Sequence, residues 1–258
     1  MSTPKKLHSF TVWQGPSKID GAPIALLATR GYRVNKKTGG MIQTYIIRTD
    51  IAPHTALQLG LDGAICGKGK HRCIHSSKAN GGNGTCYVRV DTGVLAVFRA
   101  MKRGRYPVLT PQASRAQVAG LKVRLGAYGD PSAVPQAVWR SFLADVSGCT
   151  GYTHGWKHAK YRWLQAYTMA SCDTEHEYSQ AKGEGWRAFY VVPKGTQKVA
   201  GAYLCPASEE AGRKLTCSEC MACDGNKTER KASVFIPVHG VQFKQQRFNN
   251  LIQIGASR

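Results

Sequence analysis

Four cysteines late in this 258-residue chain have types and spacing that suit a metal centre: Cys205, Cys217, Cys220 and Cys223. The last three follow in C-x2-C-x2-C spacing, and Cys205 opens a Cys-Pro pair upstream. Three thiolates on one tight loop can wrap three corners of an iron–sulfur cubane, and the remote Cys205 takes the fourth. Zinc more often takes two separate C-x2-C knuckles, whereas here the middle cysteine is shared. Four thiolates suit both metals, so a [4Fe–4S] cluster is the expected cofactor and zinc the alternative.

A second group lies earlier: Cys66, Cys73 and Cys86, with His71 and His75 between them. The spacing C-x6-C-x12-C matches no single standard pattern. With one histidine it reads as a Cys3His metal site, and without a fourth ligand as a cluster with an open iron. The competing reading is a flexible basic loop with incidental thiols. Cys149 and Cys172 stand alone and are expected to be small buried hydrophobes. Nine cysteines in a reducing compartment point to metal or catalysis rather than disulfides.

Acid–base candidates come from a different argument. In parallel α/β folds, ligands sit at the carboxyl ends of strands. Asp130, His154, Asp173 and His239 each follow a strand-like segment, and they are the candidate catalytic residues. Singly, each also fits a loop cap. The chain holds no G-x4-G-K-[ST], G-x-S-x-G or H-E-x-x-H, and these absences remove the corresponding nucleotide, hydrolase and metalloprotease readings.

The elements that must position these residues follow from pattern. Strands are expected over Ser9–Trp13, Met41–Ile47, Leu121–Leu125, Thr150–Thr153, Ala166–Ser171, Arg187–Val192 and Ser233–Val238. Helices are expected over Pro53–Leu61, Thr92–Arg103, Pro135–Val146, Trp156–Leu164 and Thr174–Lys182. The last has Thr174 as N-cap and Glu177 at the capping-box position. Strands alternating with helices define an α/β chain: a partial (β/α) barrel or an open, mostly parallel sheet, with a Cys-rich metal-binding loop and a β-rich N-terminal segment. Two parts are expected, a basic part over residues 1–110 with the first cysteine loop and an α/β part over 111–258. One integrated domain is the alternative.

Charge narrows the partner. The net charge is +21, and residues 1–110 hold 17 basic but only 4 acidic side chains. So large an excess repels itself in the compact state, and a nucleic-acid backbone is the expected counterpart. No apolar run is long enough to span a membrane, and no membrane partner is expected. Residues 1–10 lack an apolar signal core, so the expected location is cytoplasmic.

Several segments together carry a resemblance: Lys37-Thr38-Gly39-Gly40-Met41, Ile65-Cys66-Gly67, Thr85-Cys86-Tyr87-Val88, Gly104-Arg105-Tyr106-Pro107, Gly151-Tyr152-Thr153-His154, Gly185-Trp186-Arg187, Cys205-Pro206-Ala207-Ser208 and Val238-His239-Gly240. Over about residues 20–240 the chain resembles a family of uncharacterised, cysteine-rich bacteriophage and mobile-element proteins, labelled gene product eighty-eight. The resemblance implies a viral source, hence the host-cell cytoplasm, and supports the later four cysteines. It supplies no activity. The family's first loop looks more like C-G-x-C-P-x-R; here Gly69 stands where the second cysteine would be, and Cys73 comes later. The order of strands and cysteines is also similar to radical-SAM-like barrels, without their C-x3-C-x2-C motif.

The expected function is therefore a phage-type cytoplasmic iron–sulfur protein that binds nucleic acid through its basic N-terminal half. The alternatives are a cluster-dependent enzyme on a radical-SAM-like barrel, and a virion or host-interaction protein with a structural zinc site and a host protein as partner.

Overall fold

A computed structural model describes residues 6–31, 35–212, 215–226 and 232–256. The chain opens with three strands, β1 (Ser9–Pro16), β2 (Pro23–Thr29) and β3 (Ile42–Arg48), which pair antiparallel in sequence order. β2 is the central strand of this meander, and its Ile24 to Ala28 are all buried. Burial on both faces removes the polar alternation that marks a strand, which is why the sequence reading leaves it unassigned.

The first cysteine loop follows β3 and contains two short helices, α1 (Pro53–Gln58) and α2 (Gly63–Cys66). A π-turn over Val90–Val94 then leads into α3 (Leu95–Lys102), and α4 (Pro111–Val118) follows. β4 (Lys122–Tyr128) returns parallel to β3, and β5 (Gly148–Thr150) lies parallel to β4 after α5 (Gln136–Phe142). Pairing between β3 and β4 therefore joins the parts on either side of residue 110. Leu26, Ile46, Leu125, Trp139 and Phe142 belong to the core that covers this sheet.

The second sheet is entirely parallel. Its strands are β6 (Tyr152–Thr153), β7 (Met169–Cys172), β8 (Ala188–Val192), β9 (Ala202–Leu204) and β10 (Ser233–Pro237), in the order β6-β7-β8-β10-β9. α6 (Glu175–Gly183) crosses from β7 to β8. α7 (Cys217–Cys220) is a single turn inside the second cysteine loop, and α8 (Gln242–Ala256) follows β10. The Trp156–Leu164 region, expected as an α-helix, forms 3-10 turns over Gly155–Lys157 and Ala159–Ala166.

β5 and β6 lie end to end in sequence, with only Gly151 between them. β5 pairs into the first sheet and β6 into the second. A side chain at Gly151 would stand 2.9 Å from Leu125 Cβ and 3.0 Å from Thr168 Cγ2. Glycine is needed where the chain changes sheets this closely packed.

Candidate functional site

Residues of one face of the parallel strands line a cavity of about 210 Å³. They include Arg124, Gly126, Ala127 and Tyr128 from β4, the alternate residues Phe189 and Val191 from β8, and Val234, Ile236 and Pro237 from β10. The lining also includes Cys66, Cys73, Cys86, Cys205, Cys217, Cys220 and Cys223, seven of the nine cysteines. All are unbridged. Cys149 and Cys172 are buried elsewhere in the core.

The second cysteine loop is fastened at many points. Cys205 extends β9, its N–H donating to Phe235 O at 2.9 Å. Thr216 and Glu219 form a capping box over α7, and Met221 ends that turn in the left-handed region at φ 49°. Cys217 N–H donates to Lys37 O at 2.8 Å, and Gly151 N–H to Cys223 O at 3.0 Å. Lys122 Nζ reaches Ser218 O at 2.5 Å.

Arg187, at the start of β8, makes the strongest anchor. Its buried guanidinium donates to Asp224 Oδ1, Gly225 O and Ala222 O, each at 2.6 Å, and to Ala232 O at 3.2 Å. The residues on either side of Cys223 are thus tied to the sheet. Sequence reasoning missed this residue, although a lone charge opening the apolar run Ala188–Val192 is a signal of a buried, partnered side chain.

The four thiols share one electrostatic environment. Burial pushes the thiols of Cys205, Cys217 and Cys223 up, and the neighbouring cysteines push Cys223 further. Arg124 and Lys37 act in the opposite direction on Cys217, and Tyr152 hydrogen-bonds Cys223. Tyr152 is itself stacked on Phe189 at 4.0 Å between ring centroids. Among the described residues, no three His, Cys, Asp or Glu side chains are gathered as the ligands of one metal ion. In a cubane cluster each thiolate binds a different iron, so its four sulfurs do not meet at one point.

The first cysteine loop is irregular but hydrogen-bonded throughout. Cys73 N–H donates to Cys66 O at 2.7 Å, and Cys86 N–H to His75 O at 3.0 Å. Buried Asp62 holds Ser77 through its backbone N–H and hydroxyl, at 3.0 and 2.6 Å. Asp130 N–H donates to Ile65 O at 2.6 Å, joining this loop to the end of β4. Lys244 of α8 donates to Cys86 O, and Phe248 of α8 stacks on His75. His71 lies against His158 instead.

Of the four acid–base candidates, the structure brings three together. His154 Nε2 lies 3.0 Å from Asp173 Oδ2, and His154 N–H donates to Asp130 Oδ2 at 2.7 Å. Asp130 also accepts from Thr153 Oγ1 and Ser132 N–H, so its carboxylate holds the loop around His154 at three points. Asp173 also takes His75, whose Nε2 is 3.0 Å from its Oδ1. Thr174 is the expected N-cap, its Oγ1 accepting Glu177 N–H at 3.1 Å, while the Glu177 carboxylate accepts the backbone N–H of Asp173 at 2.9 Å rather than that of Thr174. His239 lines the same cavity but pairs with Glu210, 3.5 Å from Nδ1.

Burial pulls His154 and His75 down, but the charges of Cys73 and Asp173 and hydrogen bonds, to Asp173 for both rings and to Cys73 for His154, outweigh it and hold both above the usual histidine range. Asp173 is held well below the carboxylate range; burial opposes this, and the two imidazoles prevail.

No family model matches the chain, and no curated protein or solved structure matches it either. No helix among the described residues is long and apolar enough to cross a membrane.

Proposed function

We propose that the chain is an iron–sulfur protein whose Cys205, Cys217, Cys220 and Cys223 hold a [4Fe–4S] cluster. The observation that carries this reading is the convergence of these four unbridged thiols on one cavity, fastened by Arg187 and Gly151. The donor set fits: four thiolates and the cluster core together carry negative charge, and Lys37 and Arg124 face them. When bound, the cluster supplies one-electron redox capacity or a structural tie. Arg187 and Tyr152 position the ligand loop, and the apolar strand face limits water. Zinc on the same four thiolates is the competing occupant.

Two parts of the reading rest on sequence. The resemblance to phage proteins favours a viral source and host cytoplasm. The charge favours nucleic acid as partner: 36 Lys and Arg stand against 15 Asp and Glu, a net charge of +21. His154 and Asp173, just beyond the carboxyl ends of the parallel strands β6 and β7, also suit the partial-barrel enzyme reading. For the cluster, replacing Cys217 and Cys220 by serine should remove most bound iron while the chain still folds. Iron retained in that double variant would overturn the ligand assignment.

A further inference from the structure

Two aromatic rings stand bare at the mouth of the cavity. Tyr87 lines it yet is 55% exposed, and Phe243, near the start of α8, is 61% exposed. Val241 beside them is 51% exposed. Three of the six large apolar side chains that the described residues expose thus fall together. Gly240 brings the chain against Tyr87: a side chain there would stand 3.7 Å from Tyr87 Cβ, and Val241 and Phe243 follow directly. Lys244 Nζ donates to Cys86 O at 2.6 Å, which pins the first turn of α8 next to Tyr87.

The rings are held in place and flanked by cations. Arg124 Nη2 donates to the Tyr87 hydroxyl at 3.3 Å, which fixes that ring at the rim. On α8, Lys244 and Phe248 lie one turn apart on the face that packs on the first cysteine loop, through Cys86 O and the His75 ring. Phe243 and Arg247, also four apart, share the neighbouring face, so a guanidinium accompanies the exposed ring. Arg247 and Lys78 converge on one point, 3.8 and 3.7 Å from where a Gly84 Cβ would stand. Among the described residues, no carboxylate forms an ion pair with Lys78, Arg124, Lys244 or Arg247. The acids in this region are Asp91, paired with Arg89, and Glu210, paired with His239.

We propose that this rim binds single-stranded nucleic acid, with bases stacked on Tyr87 and Phe243 and phosphates on Lys78 and Arg247. The assignment rests on the reading of nucleic acid as partner and gives it a strand type and a place; the thiols take no part in it. An exposed ring offers its face to any unpaired base, whereas a duplex keeps its bases in their own stack. A ring already fixed by Arg124 loses little freedom when a base stacks on it. Cations brought together without an acid between them repel, and a phosphate backbone relieves that repulsion. An apolar protein partner would instead bury those cations unpaired, at a cost in desolvation.

The test measures fluorescence anisotropy on the full chain at low salt. The probes are a labelled thymidine strand of about 12 nucleotides and a duplex of the same length. Tyr87→Ala combined with Phe243→Ala should weaken strand binding about tenfold or more. Duplex binding should stay unchanged in that variant, which also shows that it folds. Phe243→Tyr, which keeps a ring, should retain strand binding. Lys78→Ala combined with Arg247→Ala should flatten the log–log salt dependence for the strand by about 1.4. In the unaltered chain, a bromodeoxyuridine-bearing strand should cross-link under ultraviolet light to Tyr87 or Phe243. Strand binding kept by the double aromatic variant, or cross-links confined to other residues, would overturn this surface and leave nucleic acid as the partner. No binding of either probe would overturn the nucleic-acid reading itself and this site with it. Self-association that the aromatic variant abolishes, without strand binding, would overturn the proposal by making the rim a contact between two copies of the chain.

Discussion

Asp173 carries more of the site than any other single side chain. It is buried, and it binds both His75 and His154 at 3.0 Å. Because its folded-state pKa is depressed, its contribution to stability is present above the ordinary carboxylate range and is lost as pH falls below about 4. Asp173→Asn should flatten that acid-side loss and cost roughly 3–5 kcal/mol near neutrality, since it leaves two buried imidazoles without their counter-charge. Urea unfolding of both proteins from pH 3 to 7 measures this; equal stability at pH 7 would contradict it. At this scale the sequence is legible where spacing is diagnostic. The C-x2-C-x2-C run marks the later loop, and Asp130, His154 and Asp173 stand out because each follows a strand. His239 follows one too, yet it pairs with Glu210, because position after a strand does not fix which way a side chain turns.

The elements divide into those that position the chemistry and those that close around it. β4, β6 and β7 carry Asp130, His154 and Asp173 just beyond their carboxyl ends, as a parallel sheet requires. β8 holds the cysteine loop through Arg187. Arg187→Ala should cost roughly 3–5 kcal/mol, since it strands buried Asp224 and frees three loop carbonyls from their donor. Chemical denaturation reads this directly, and a loss below about 1 kcal/mol would show that the clamp is dispensable. Two strands and four helices were not legible; α2 and α7 are single turns inside the cysteine loops, and α4 carries few apolar residues. β2 is apolar on both faces, β9 has only three residues, and α8 lies in a polar segment whose helical face shows mainly through Phe248. The β5–β6 strand reads as one run in sequence; its division between two sheets depends on packing of Gly151 against Leu125 and Thr168, which local pattern does not contain.

The whole molecule sets a cysteine-lined cavity inside a chain of net charge +21. If phosphate backbones are the counterpart, association with a DNA or RNA oligonucleotide should weaken steeply between 50 and 200 mM salt, by roughly 10³–10⁵ for six to ten phosphate contacts. Binding that is flat across that range would remove nucleic acid as the partner. The central claim concerns the cavity. Iron and acid-labile sulfide should be measured on the unaltered chain purified without oxygen. The account predicts about four of each per chain, with broad visible absorption, from the Cys205, Cys217, Cys220 and Cys223 site. Zinc in their place, or four free thiols with no metal, would contradict it.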